Sequence, residues 1–196
     1  MGILGRMENE PTAPTETEVK FRLGDRGAFE MRLAALGASR GPTEFEANVL
    51  LDDAAGTLRR RGVALRLRET GGSSILTFKG PREVDRGVRT RLELETLVGG
   101  AATTLALRGQ LGFAPVFRYE KRRTAWTYAD PARPLVVVDE TPIGLFAEIE
   151  GTTASVRAAA GELGIAESDF LVESYVGLYF AARERDRSLP FEMVFR

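Results

Sequence analysis

Three short stretches of this chain carry a charge on every second residue: Glu16-x-Glu18-x-Lys20, Arg91-x-Glu93-x-Glu95 and Glu148-x-Glu150. The residues of opposite parity, Val19, Phe21, Leu92, Leu94 and Ile149, are apolar. Period-two alternation predicts β-strands, each with one face wholly charged. An ordinary half-buried sheet shows simple polar residues to water. Here both signs recur in order on several strands, as a water-filled, ion-binding interior would require.

The same alternation extends along the chain. Strands are expected at 16–23, 45–51, 59–68, 75–79, 88–97, 117–128, 135–139 and 145–150. Helices are expected at 25–38, 101–111, 152–163 and 168–183, with Asp25, Thr152 and Ser168 as N-caps. Gly71-Gly72-Ser73-Ser74 and Thr141-Pro142-Ile143-Gly144 read as turns, and residues 82–87 as a charged loop. Successive strands follow too closely for βαβ crossovers, so the sheet should be mainly antiparallel. The tail from Ser188 receives no element, and its apolar run from Leu189 to Phe195 is a candidate dimer contact. Residues 1–15 read as a flexible arm.

Composition narrows the chemistry. The 196 residues suit one substantial domain, and a net charge of -1 points to neither nucleic acid nor a membrane surface. There is no cysteine and no histidine. Thiolate nucleophiles, imidazole bases and His-ligated zinc are therefore excluded. A metal must be held by oxygen, which favours Mg²⁺ or Mn²⁺. No apolar run approaches the roughly 20 residues of a membrane span, and the start lacks a signal-peptide pattern, so a cytoplasmic protein is expected.

If the strands close into a barrel, Glu16, Glu18, Glu93, Glu95, Glu148 and Glu150 converge on one lumen with Lys20, Arg66, Arg68, Lys79, Arg91, Lys121 and Arg123. The helices then cover the apolar outer faces. A single E-x-E is most often a solvated ladder contributing under about 1 kcal/mol. The whole set is different, because burying so many charges is costly without a ligand. Cations of both kinds suit phosphate oxygens, Arg in a bidentate fork, and carboxylates suit a metal. Triphosphate with its metal ion fits both. Arg59-Arg60-Arg61 reads as a solvated loop. Phe117, Tyr119, Trp126 and Tyr128 read as packing, and parity alone leaves open which of Lys121, Arg122 and Arg123 face inward.

These residues resemble the CYTH family, the triphosphate tunnel metalloenzymes. The resemblance begins at Glu16-Thr17-Glu18-Val19-Lys20 and runs through Leu51-Asp52-Asp53, Ala64-Leu65-Arg66-Leu67-Arg68, Leu76-Thr77-Phe78-Lys79-Gly80-Pro81 and Arg91-Leu92-Glu93-Leu94-Glu95. It continues through Lys121-Arg122-Arg123, Val138-Asp139, Ala147-Glu148-Ile149-Glu150-Gly151 and Ser174-Tyr175. The block Glu46-x-Asn48-x-Leu50-Leu51-Asp52 departs from the commoner form, in which Gln stands at its start.

The resemblance implies an α+β fold: an eight-stranded antiparallel β-barrel with helices packed outside, spanning residues 16–185, with a tail at 186–196. It implies metal-dependent chemistry on tripolyphosphate, ATP or thiamine triphosphate. Lys20, Glu148 and Glu150 would be catalytic. Glu16, Glu18, Glu148 and Glu150 would hold Mg²⁺ or Mn²⁺, with Glu93, Glu95 and Asp139 as further ligands or orienters. The seven basic residues would hold the phosphates. Hydrolysis is the leading expectation, class IV adenylate cyclisation the alternative, and a non-catalytic polyphosphate-binding module a third. A monomer or a homodimer would serve.

Overall fold

The computed structural model describes residues 14–196; the arm expected at 1–15 lies almost wholly outside them. The chain runs β1 (Thr15–Arg22), α1 (Arg26–Ala35), β2 (Ser39–Asp52), α2 (Thr57–Arg60), β3 (Ala64–Thr70), β4 (Ser73–Lys79), β5 (Glu83–Asp85) and β6 (Val88–Val98). It continues through α3 (Ala101–Gln110), β7 (Ala114–Thr127), β8 (Leu135–Thr141), β9 (Gly144–Glu150), α4 (Thr153–Glu162) and α5 (Tyr175–Arg185). The order across the sheet is β1-β9-β8-β7-β2-β3-β4-β6, and β6 pairs back with β1. All these pairings are antiparallel, so eight strands close into the expected barrel. Closure leaves no free edge among the eight.

The outer faces form the core that the alternation required. Val19, Phe21, Val136, Val138, Ala147 and Ile149 are buried against Phe29 and Leu33 of α1 and Val156, Ala159 and Ala160 of α4. Each fully buried aliphatic side chain contributes about 1.5–3 kcal/mol. Asp25 caps α1 by accepting from the Ala28 N–H, and Thr152 forms a capping box with Ser155 on α4. α5 differs: its first residue, Tyr175, packs against Lys20 and Lys121 and bonds Asp139.

Three element boundaries are corrected, the first being the strand expected at 59–68, which starts only at Ala64 because Thr57–Arg60 is helical. The last helix starts at Tyr175, capped by Ser174, not at Ser168. Between them Phe170 is buried in the core, and the Leu171 N–H donates to the Lys20 carbonyl at 2.7 Å; these tertiary contacts hold the segment extended. The 82–87 loop contains β5, which pairs only with β6 as a short ninth strand. The tail is packed on its own barrel: Met193 is fully buried and bridges Tyr119 in parallel. Its backbone bonds with Arg118 and Glu120 fasten it to β7.

Candidate active site

Closure brings the charged faces of β1, β3, β4, β6, β7 and β9 onto one cavity of about 920 Å³. Thirteen of the fourteen expected site residues line it: Glu16, Glu18, Lys20, Arg66, Arg68, Lys79, Arg91, Glu93, Glu95, Lys121, Arg123, Glu148 and Glu150. Asp139 does not. It is fully buried behind the wall, accepting from Lys121 at 3.2 Å, from Arg123 at 2.8 Å and from the Tyr175 hydroxyl at 2.7 Å. It holds two cations in position, as the orienter that was one of its two expected roles. Arg122, left open by parity, faces outward to Glu140 at 2.7 Å.

The lumen glutamates are all ion-paired, Glu16 with Lys79 and Arg91, Glu18 with Arg89 and Arg91, and Glu150 with Arg123, and three of them also cluster. Oxygens of Glu16, Glu18 and Glu150 all lie within 4.8 Å of one another. Register explains this, since Glu18 stands opposite Glu150 across β1 and β9. Three hard oxygen donors at this spacing fit a divalent cation. Glu148 is also surrounded by cations: Lys20 is 3.1 Å from it, Arg123 bonds it directly, and Arg89 is 3.9 Å away. Glu93 and Glu95 are also tied to bases, Glu93 to Lys79 at 2.7 Å and Glu95 to Arg66 and Arg68 at 3.2 Å.

These neighbours set the protonation states. Burial pushes Glu150 up, and Glu148, Glu16 and Glu18 add repulsion that Arg123 does not cancel, so its carboxyl sits at about 7. Burial and the Glu148 charge likewise raise Glu18. Burial raises Glu93 to about 8, helped by its hydrogen bond to Glu16. Burial opposes ionisation of Glu16 too, but that bond and the charges of Lys79 and Arg91 hold it at about 2. Glu16 and Glu93 thus share one proton, carried mainly by Glu93. Burial lowers Lys20, and the Glu148 charge only partly offsets this. For Glu148 the surrounding Lys20, Arg123, Lys121 and Arg89 overcome burial and keep it ionised.

Several lumen residues were missed. Arg89 is buried beside Glu18 at 3.0 Å. It sits two residues before Arg91, so extending the same parity one step along β6 would have found it. Glu46 and Asn48 face inward from β2, where parity was readable but no acid–base repeat drew attention. Thr77 donates to Glu95 at 2.7 Å from the centre of β4; its neutral side chain carried no signal. Asn48 is buried with both amide atoms unpartnered, as are the Nε atoms of Arg66 and Arg68. Orphaned polar groups on a charged lumen indicate a site built for a polar ligand.

Comparison with known proteins agrees with this geometry. Residues 14–174 match the CYTH domain family. The chain belongs to the CYTH family. A Methanocaldococcus jannaschii protein named as a putative adenylate cyclase is 26% identical over 142 residues, 72% of this CYTH chain and 79% of the relative. A solved Vibrio parahaemolyticus structure, also named as a putative adenylate cyclase, superposes with a TM-score of 0.70 at 22% identity, covering 82% and 94% of the two chains. A Hippeastrum protein named as a putative adenylyl cyclase, and described as revealing a dominant triphosphatase activity, superposes at 0.64 with 20% identity, covering 91% and 99%. At these identities the two solved structures speak to the CYTH fold alone.

Proposed function

We propose that this CYTH chain is a triphosphate-processing enzyme that hydrolyses a triphosphate held in the lumen with Mg²⁺ or Mn²⁺. The carrying observation is the convergence of acids and bases on one cavity. Glu16, Glu18 and Glu150 form an oxygen cluster of metal-binding size, and bases line the cavity around it. Arg66, Arg68, Lys79, Arg91, Lys121 and Arg123 bind the phosphate oxygens, with Arg89 supporting Glu18. A bound divalent cation neutralises phosphate charge and acidifies the attacking water. Lys20, held by Glu148 from 3.1 Å, adds a further cation for the phosphates, and a lumen carboxylate takes up the released proton. Asp139 fixes Lys121, Arg123 and Tyr175 from behind.

The triphosphatase activity of the Hippeastrum protein supports hydrolysis. The names of the M. jannaschii and V. parahaemolyticus proteins favour a second reading, adenylate cyclisation in the same tunnel. Both use the same bases and carboxylates and differ in which phosphorus meets the nucleophile. Incubation with Mg²⁺ or Mn²⁺ and ATP or tripolyphosphate separates them. Orthophosphate is the expected product; cyclic AMP with pyrophosphate would establish the cyclase instead. Glu148→Gln should lower turnover by at least about 10²-fold with circular dichroism unchanged. Turnover near wild type in that variant would remove Glu148 from the mechanism.

A further inference from the structure

The cavity has two chemistries. Charged residues make half of its lining, but Leu50, Val116, Phe117, Val176, Phe180 and Phe191 line it too. Three of these are rings from segments far apart in the chain: β7, α5 and the C-terminal tail. Phe117 and Phe180 have centroids 5.1 Å apart, Phe117 and Phe191 5.9 Å, and Phe180 and Phe191 6.0 Å. Phe117 is buried as the base of the cluster, but Phe191 remains 54% exposed and Val116 44%. An apolar surface of this kind, continuous with a phosphate-binding lumen, is of no use to an inorganic polyphosphate. That ligand is charged along its whole length and gains nothing from leaving water against aromatic rings.

Resting on the triphosphate reading above, we propose that the substrate is an organic triphosphate whose flat aromatic group lies against Phe180 and Phe191 while its phosphates enter the lumen. The aromatic wall then selects for the organic half, and the tail acts in the site by delivering Phe191. Nucleoside triphosphates and thiamine triphosphate share this chemistry, so both serve as probes.

The test is calorimetric binding of ATP, thiamine triphosphate and tripolyphosphate in EDTA, to wild type and to Phe191→Ala. Losing one stacking ring should lower the affinity for one organic triphosphate, relative to tripolyphosphate, by about tenfold. Phe191→Trp should keep the wild-type ratio. The arm that loses affinity, ATP or thiamine triphosphate, names the ring. If Phe191 merely fastens the tail to α5, all three ligands shift together and the ratio is unchanged, which overturns the proposal. Turnover is read separately on the same samples. Absence of product from every triphosphate, with the tenfold ratio change present, would sink the hydrolase reading while leaving the aromatic wall in place.

Discussion

Glu150 shows how far a single side chain in this lumen departs from its ordinary behaviour. Its carboxyl, held at about 7 by burial and by the negative charges of Glu148, Glu16 and Glu18, is half protonated near neutrality. A cation between Glu16, Glu18 and Glu150 needs that proton removed. Mn²⁺ binding is therefore expected to strengthen as pH rises through about 7, with proton release visible as a buffer-dependent calorimetric enthalpy. A flat affinity from pH 6 to pH 8 would remove Glu150 from the ligand set. Glu46 makes a second prediction. It is buried within 3.2 Å of Arg68, 3.4 Å of Lys121 and 4.0 Å of Arg123. All three cations are proposed phosphate binders, so Glu46 occupies them in competition with a ligand. Glu46→Gln leaves them under-neutralised, which should lower the melting temperature of the free protein and tighten tripolyphosphate binding by about tenfold. Weaker binding in a folded variant would contradict this. The inward residues of β1, β6 and β9 were legible because acids repeat there at strand parity. Asn48 and Thr77 were not, since a neutral residue at the right parity looks like any other.

At the scale of elements, legibility followed how local the determining contacts are. α1 and α4 were readable because Asp25 and Thr152 cap them through bonds within three residues. The start of α5 was not, because Ser168 and Ser174 are equally good caps in sequence. The choice between them is made by Phe170 in the core and by the Leu171–Lys20 backbone bond. The β5–β6 hairpin depends on the same segment. Its two-residue turn, Arg86-Gly87, has φ of 46° and 80°, the double left-handed geometry of a type I′ turn. Gly87 is required twice over, since a Cβ there would meet the Phe170 Cβ at 2.7 Å. Gly87→Ala therefore combines a left-handed penalty with overpacking, together roughly 2–4 kcal/mol. Urea denaturation should show a lowered midpoint with an unchanged slope. A midpoint equal to wild type would mean that the turn and Phe170 relax freely.

For the molecule as a whole, the hydrophobic pattern and the charge pattern make opposite demands. Apolar outer faces under α1 and α4 drive closure of the barrel, and closure forces many like and unlike charges into one lumen. Ion pairs such as Lys20–Glu148 and Lys79–Glu16 offset only part of the desolvation cost, and the unpartnered atoms of Asn48, Arg66 and Arg68 add to it. That conflict was visible in the sequence as alternation. The tail's place in it was not, because Met193 and Phe191 meet Tyr119 and Phe117 across a long stretch of sequence. A fold built this way should be stabilised by the ligand that resolves the conflict. At a concentration of tripolyphosphate 100 times its dissociation constant, linkage supplies about 2.7 kcal/mol. For a domain of this size that corresponds to a rise of roughly 5–10 °C in melting temperature. Sodium chloride at matched ionic strength acts only by screening and should reproduce little of it, because the pairs concerned are buried. Differential scanning fluorimetry with both additives decides the matter. Equal shifts from the two salts would mean that the lumen charges are relieved by general screening, and that the cavity has no particular affinity for a triphosphate.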